Sequence, residues 1–515
     1  MVAPSPAEPP LLTRSEGQVR GMARGSTLNL AGAVCSQLSL LAVTVFLARV
    51  LGRDDVGRYA QCYALLVLVG LLALSGFRAG LTRFVVMHLA DRDPGALRGT
   101  VRLGLMLPLL SSVVLGVAMF AGAPLLAGAF QDDGLVTGFR LIALSLPATT
   151  FTDAALAATQ GWRTMRPYAL VGSVLEPVTR LVLTVSLVTS GAGLTGALVA
   201  LLISSWLAAV VSGVWLLQYL RAATRGSVPS YRPKELFAFS GVSWVASLAS
   251  NGLIWTSTLL LGLFASSGSV GVYSVSTRLV SLAVFVMPPI NGAFSPRIAH
   301  LYHSGRRSEL AVTYGVATSW IVRLSLPAFV ILILFPGELL AVFGREFQVG
   351  AAVTMLLAVG KLVDAATGPC ALMLNMSGRP ALNMIDNIGA LLLNIGLNLW
   401  LIPAHGIIGA AVAWGVSLAA VNVTRLVQVK MVLGMMPFDR GVLNGTIAGM
   451  TAALAAAGVG AFVDANLRLV VGLATVVAVY VTTLVMLGPT HEDRLLLGMV
   501  RPRRGSPRTP ADQRS

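Results

Sequence analysis

The sequence predicts an all-α polytopic membrane protein of about fourteen transmembrane helices, built as two pseudo-symmetric six-helix bundles followed by two further helices. Composition is the first ground for this. The chain is 56% hydrophobic and 11% charged, against about 25% charged in a soluble globular protein, and its mean hydropathy is +0.80. The second ground is periodicity. Apolar runs of the roughly 20 residues that a span needs recur along the chain, and backbone in lipid must satisfy its own hydrogen bonds, so the runs are read as helices. The third is duplication. VGRYA at 56–60 returns as VGVYS at 270–274, and Arg83 falls on Arg297. Arg166-Pro167 falls on Arg379-Pro380, GLTGA at 193–197 on GIIGA at 406–410, and Ser204 on Ser417. An offset of more than 200 residues is far too long for a soluble solenoid repeat. It suits a duplicated transporter bundle with its site between repeats.

Taken in order, the spans read as 27–50, 57–80, 102–126, 138–160, 168–189 and 193–219 for the first bundle. The second bundle reads as 237–264, 269–293, 312–336, 350–375, 381–402 and 406–432, with extra helices at 443–464 and 468–488. The domains follow: a basic N-terminal segment 1–26, bundles 27–219 and 237–432 joined by a basic linker 220–236, two helices within 443–488, and a basic tail 489–515. Residues 1–25 lack the apolar stretch of a cleavable signal peptide, so the first span is expected to remain as an anchor. The Pro-rich, basic tail is expected to be disordered.

Charge sets the orientation. The segments on the N-terminal side of the membrane hold 25 of the 37 Lys and Arg residues, and the opposite loops hold five: Arg53, Arg58, Arg140, Arg345 and Arg468. The positive-inside rule then places both termini in the cytoplasm. The net charge of +16 is spread over short loops. It therefore suits an anionic lipid surface and excludes a nucleic-acid face. Cys35, Cys62 and Cys370 sit in apolar runs without disulfide or metal spacing. No P-loop, nucleophile-elbow or zinc-protease motif appears, so no enzyme, cofactor or metal is expected.

Polar groups at membrane depth carry the candidate chemistry, because they are costly there and tend to mark pathways or pairs. Ser274, Arg278 and Ser281 share one face of the eighth span, and Arg278 is read as a cation facing an anionic head group. Glu176 and Arg180 are spaced for an intrahelical ion pair, with Ser173 and Thr184 on the same stripe. Lys361 and Asp364 are either a structural pair or a protonation switch. Thr149, Asp153 and Gln160 form a stripe in which Asp153 is a candidate ion-coupling acid. Asn383, Asn387, Asn394 and Asn398, beside Asp386, lie on one face and read either as interhelical glue or as a polar route for sugar hydroxyls. Arg78 is the candidate for a cavity mouth, whereas Arg425 is expected to snorkel to the interface. Pro288-Pro289 predicts a kink.

The opening LNLAGAVCSQLSLLAVTVFLARVLGRDDVGRYA, SGFRAGLTRFV, and residues 368–413 from GPCALMLNMSGRP to GIIGAAVA resemble bacterial polysaccharide biosynthesis proteins. These are the Wzx-type oligosaccharide flippases of the superfamily that also holds the multidrug and toxin extruders (MATE) and the lipid II flippases. The resemblance covers roughly residues 24–490. It implies a V-shaped, MATE-like pair of bundles moving a lipid-linked oligosaccharide on undecaprenyl pyrophosphate from the cytoplasmic to the outer leaflet, coupled to an ion gradient. It implies pyrophosphate binding by cavity cations, matched here by Arg278, with Arg180, Lys361 and Arg78 as further positions. Asp153, Glu176, Asp364 and Asp386 are read from their own positions as coupling or pairing acids, and a polysaccharide polymerase and glycosyltransferases are the expected partners. A lipid II flippase and a MATE-type cation antiporter are the alternatives.

Overall fold

A computed structural model describes residues 11–488, with side-chain surroundings for 29–464 and 467–488. The expectations for residues 1–10 and for the tail 489–515 lie outside the described residues. Every regular element among the described residues is helical. The first part of the chain gives α1 Leu11–Leu74, α2 Phe77–Ala90, α3 Pro94–Ala121, α4 Ala123–Ala129 and α5 Leu135–Gln160. A π-helical stretch, Tyr168–Leu175, leads into α6 Glu176–Leu187, followed by α7 Gly193–Ala223, α8 Pro233–Phe264 and α9 Ser267–Ala283. Beyond these run α10 Met287–His303, α11 Arg307–Leu334, α12 Pro336–Ala341, a 3₁₀ turn Arg345–Gly350, α13 Ala351–Thr367, α14 Cys370–Met376, α15 Pro380–Leu433, α16 Arg440–Gly460 and α17 Ala465–Leu487.

Among the described residues, ten helical stretches are long and apolar enough to cross a membrane, or eleven if α9 and α10 form one span. The chain is a multi-pass membrane protein. Three of the stretches run 46, 56 and 54 residues, more than twice the length of one crossing. Each is broken by glycine at positive φ: Gly52 (80°), Gly191 and Gly193 (93° and 53°), and Gly406 (54°). L side chains are strained there and glycine is not. These breaks fall where the sequence places the loops after residues 50, 189 and 402. Gly193 and Gly406 open the repeated GLTGA and GIIGA, and they adopt nearly the same backbone, φ 53° and ψ −141° against φ 54° and ψ −130°.

Helix ends follow from local chemistry. Asp93 caps α3 by accepting from the Ala96 N–H at 2.9 Å, and Asp439 caps α16 by accepting from the Val442 N–H at 2.8 Å, the expected role of Asp at an N-cap. The kink predicted at Pro288-Pro289 takes the form of a short break, with α9 and α10 bent by 45° from each other. The helix ends at Ala283, and the pair occupies the first turn of α10, where proline's missing N–H costs nothing.

Packing shows the inversion expected in lipid. On α3 the buried face is small, with Gly104, Ser112 and Gly116, while the outward face carries Met106, Leu110, Val114 and Val117. Small residues let helices approach closely, and lipid covers the large apolar ones. Contacts divide the chain into two compact units. Among the described residues, unit 1 comprises 11–278, 340–353 and 387–417, and its core centres on Cys62, Phe139, Leu146 and Leu201. Unit 2 comprises 279–339, 354–386 and 418–488, and in it α11, α16 and α17 enclose Phe335, Ala452, Val476 and Tyr480.

Within unit 1 a polar cluster joins the loop ends. Arg58 Nε donates to Asp132 Oδ2 at 2.8 Å, Ser267 Oγ donates to the same oxygen at 2.6 Å, and Arg58 Nη1 reaches Asp55 at 2.9 Å. Burial pushes the Asp132 carboxyl up, but the hydrogen bonds from Arg58 and Ser267, the Arg58 charge and the Gly134 N–H hold it below the ordinary carboxylate value. A depressed acid contributes stability that is complete above its unfolded pKa, about 3.9, and is lost as pH falls through the lower folded value. The thermal stability difference between the native chain and Asp132→Asn is therefore expected to stay constant from pH 5 to 8 and to shrink only below about pH 4. For a partly exposed pair its size is up to about 1 kcal/mol, and thermal unfolding in detergent across that range measures it.

Candidate functional site

The sequence candidates in the first bundle converge on one cavity of about 310 Å³ inside unit 1. Five elements build its charged wall. The stretch of α1 after Gly52 brings Tyr63 and Leu74, and the start of α2 brings Arg78; α5 brings Thr149 and Asp153; the π-helical stretch brings Tyr168 and Gly172; α6 brings Glu176 and Arg180. Ser205 of α7 and Asn251 of α8 complete the polar lining. A π-helical segment at this position is in keeping with their frequent occurrence at functional sites. It turns Tyr168 and Glu176 toward the same space.

The electrostatics are those of two loosely held arginines. Arg180, only 4% exposed, lies 3.5 Å from Glu176 and 5.6 Å from the Tyr63 ring centroid. Arg78 lies 3.9 Å from Asp153 and 6.0 Å from the Tyr168 centroid. Both ion-pair distances exceed the roughly 2.7–2.9 Å of a charge-assisted hydrogen bond. The aromatic faces supply cation–π support without using up the guanidinium fork. Arg78 and Asp153 keep about half of their side-chain surface open. Arg278 of α9 lies within electrostatic range of Arg180, Tyr59 and Tyr63, and its Nη2 is buried without a hydrogen-bond partner among the described residues. Such a cluster of donors suits the planar, multiply charged oxygens of phosphate.

Other candidates fall elsewhere. Lys361 and Asp364 form a 2.8 Å ion pair in unit 2. Asp386 is buried there, with Gln428 Nε2 donating to its Oδ1 at 2.7 Å and Oδ2 left without a partner among the described residues. Arg425 does not snorkel. It is 8% exposed, in range of Asp386 and Asp364, because two buried acids offer it a better environment than the interface. The asparagine stripe divides. Asn383 donates to Asn375 in unit 2 at 3.3 Å. Asn394 and Asn398 are fully buried in unit 1 against Ser257, with Asn398 Nδ2 donating to Ser257 Oγ at 3.0 Å and to Asn394 Oδ1 at 2.9 Å. That geometry is interhelical glue between α15 and α8. Asn387 falls in unit 1 with its own partner. Sequence reasoning missed Tyr63, Tyr168 and Asn251. The available signal was the i, i+4 aromatic pair Tyr59 and Tyr63, whose rings stack at 6.4 Å.

The family model described as "Polysaccharide biosynthesis protein" matches residues 22–302, more than half of the chain. The chain belongs to the polysaccharide biosynthesis protein family. A second model, MatE, matches residues 243–400 of this family member. It is 24% identical to the "Probable low-salt glycan biosynthesis flippase Agl15" of Haloferax volcanii over 406 residues, covering 77% of this chain and 81% of that one. It is 32% identical to the "Probable flippase AglR" of the same organism over 189 residues, or 35% of this chain and 38% of that one. Among solved structures, a lipid II flippase MurJ in an inward closed conformation matches with TM-score 0.72 at 13% identity, covering 91% of this chain and 99% of that one. An inward-facing MATE multidrug transporter of the MOP superfamily matches with TM-score 0.68 at 15% identity, covering 79% and 98%. These likenesses show that the family member shares the fold of those two transporters.

Proposed function

We propose that the protein is a flippase that carries a lipid-linked oligosaccharide, held on undecaprenyl pyrophosphate, from the cytoplasmic to the outer leaflet for surface polysaccharide assembly. The single observation that carries this reading is the cavity itself, where Arg78 and Arg180 are loosely paired and Arg278 lies nearby with an unpartnered guanidinium nitrogen. At about 310 Å³ the cavity lies at the small end of ligand pockets. It has room for a charged head group and a first sugar and none for a whole oligosaccharide, so the rest of the glycan stays outside it. The names of the archaeal relatives support transport of a glycan precursor.

In this reading the two sequence bundles, 27–219 and 237–432, rock to expose the cavity alternately, with both termini in the cytoplasm of a bacterial inner membrane. An ion gradient drives the cycle, and Asp153 and Glu176 are the acids placed to sense it. A glycosyltransferase set supplies the substrate and a polymerase consumes it. A cation antiporter is the second reading, because those same two acids line the cavity. A lipid II flippase would use the same arginines for the same pyrophosphate.

A deletion strain separates the readings. Loss of surface polysaccharide, with lipid-linked oligosaccharide accumulating on the cytoplasmic side, is the expected outcome. Intact polymer together with new sensitivity to cationic drugs would move the protein to the antiporter reading. Arrested cell-wall synthesis with lipid II accumulation would mark a lipid II carrier.

A further inference from the structure

The tyrosine of VGRYA, Tyr59, recurs as Tyr273 of VGVYS, and the two hydroxyls have different surroundings. Tyr273 is buried, and its hydroxyl lies in hydrogen-bonding range of the Ser257 side chain. The Tyr59 hydroxyl is buried as well, and it has no hydrogen-bond partner among the described residues. A buried polar group without a partner is costly, most of all at membrane depth. One repeat therefore satisfies its tyrosine internally, and the other leaves it open.

The open hydroxyl stands among cations, all within unit 1. Tyr63 lines the cavity, and Tyr59 lies one helical turn before it on α1, toward the break at Gly52. The two rings stack at 6.4 Å with planes 12° apart, and Trp255 meets the Tyr63 ring edge-on at 5.5 Å. This stack fixes the direction of the Tyr59 ring. Arg180, Glu176 and Arg278 are all within electrostatic range of it. Arg278 Nη2 is a second buried donor without a partner among the described residues. The groups that act on Arg278 are Tyr63, Arg180 and Tyr59, and no acid is among them. Two unused donors beside two guanidinium groups repel a metal cation and suit an anion. Phosphate oxygens accept from both kinds of donor.

We propose that Tyr59 is a specificity-determining residue: its hydroxyl, with Arg278 Nη2, receives the second phosphate of the cargo, so that the protein selects lipid pyrophosphates over lipid monophosphates. The inference rests on the flippase reading above and adds to it the residue that chooses the carrier. The first phosphate is held by Arg78 and Arg180 at the cavity, where a monophosphate is held equally well. Only the second phosphate brings acceptor oxygens past the Tyr63 ring to the two open donors. A site built to hydrogen-bond one ligand strongly rejects the analogue that leaves its buried groups unpaired.

The test measures binding of two probes, undecaprenyl pyrophosphate and undecaprenyl monophosphate, to the full chain in lipid nanodiscs. The native protein is expected to bind the pyrophosphate at least about tenfold more tightly, the effect of a charge-assisted hydrogen bond. Tyr59→Phe removes only the hydroxyl. It should weaken pyrophosphate binding by about tenfold and leave monophosphate binding within about twofold. Tyr273→Phe loses the Ser257 contact, so it should lower the thermal midpoint and keep the native ratio of affinities. If Tyr59→Phe does not fold, Arg278→Gln should narrow the same ratio. Equal native affinities for the two probes would overturn the role of Tyr59 and leave the flippase reading standing. So would a Tyr59→Phe protein that keeps the native ratio, including one that loses both probes in proportion, which is what a purely structural tyrosine gives. A native protein that binds neither probe would overturn the flippase reading itself.

Discussion

Replacing Arg180 with alanine should weaken substrate binding and transport by about 10- to 100-fold, the effect of losing one charge-assisted contact of about 1.5–3 kcal/mol. Arg180 is the most buried cation lining the cavity and is held by Glu176 and the Tyr63 ring. Truncation alone would leave Glu176 with an unbalanced charge, so some loss of thermal stability is expected alongside it. Arg180→Gln combined with Glu176→Gln removes that complication, because the pair is neutralised together. Stability should recover in the double variant while transport stays low. Arg180→Lys should recover only part of the activity, since an ammonium cannot reproduce bidentate contact with phosphate. The control is Lys361→Met with Asp364→Leu. That pair is closed at 2.8 Å in the other unit, and its neutral replacement should leave transport within about threefold of the native rate, as expected when a buried pair is exchanged for apolar groups. Uptake of a labelled pyrophosphate lipid into proteoliposomes, with thermal unfolding of each variant, reads both quantities.

The largest structural effect is expected at Gly76. This residue sits at φ 72° between α1 and α2, and a methyl group there would collide with the Ser240 carbonyl and lie 2.7 Å from the Trp244 nitrogen of α8. Valine would add β-branched strain in the left-handed region to a steric clash with backbone that cannot move aside. Each of these defects costs on the order of 1–3 kcal/mol, so Gly76→Val should destabilise by about 4 kcal/mol, on the scale of a small domain's whole stability. The expected observation is loss of the monodisperse species in detergent. Gly378→Ala is the comparison, because that glycine also has positive φ but open space around it. It should lower the midpoint by only a few degrees.

Much of the architecture was legible because lipid imposes a strong pattern. Apolar runs, the glycine breaks at Gly52, Gly193 and Gly406, and the repeated markers all follow from rules of local sequence. The charged wall was legible in part. Arg180 with Glu176 and Asp153 stood out as costly residues at membrane depth, and Arg78 was read as a candidate for a cavity mouth. The partners of these groups were legible only in part: Tyr63 shares an i, i+4 spacing with Tyr59, whereas Tyr168 reaches Arg78 through tertiary packing and carries no spacing signal. The asparagine stripe was legible only as two alternatives, interhelical glue or a polar route, for a related reason. One face of one helix can serve several neighbours, and only packing shows that Asn394 and Asn398 are sealed against Ser257 while Asn383 turns to Asn375. Arg425 sits at the end of an apolar run, where interface snorkelling is the general rule. Its burial goes with Asp364 of α13 and with Asp386, which lies in the part of α15 before the break at Gly406.

The most direct test of the account is flipping by the purified protein. Proteoliposomes would carry a fluorescent oligosaccharide on a polyprenyl pyrophosphate, and a membrane-impermeant quencher would report which leaflet holds it. The account predicts protein-dependent movement between leaflets that is abolished by Arg180→Gln with Glu176→Gln and competed by unlabelled polyprenyl pyrophosphate. Equal leaflet exchange with and without protein, or exchange unaffected by the cavity variant, would contradict it.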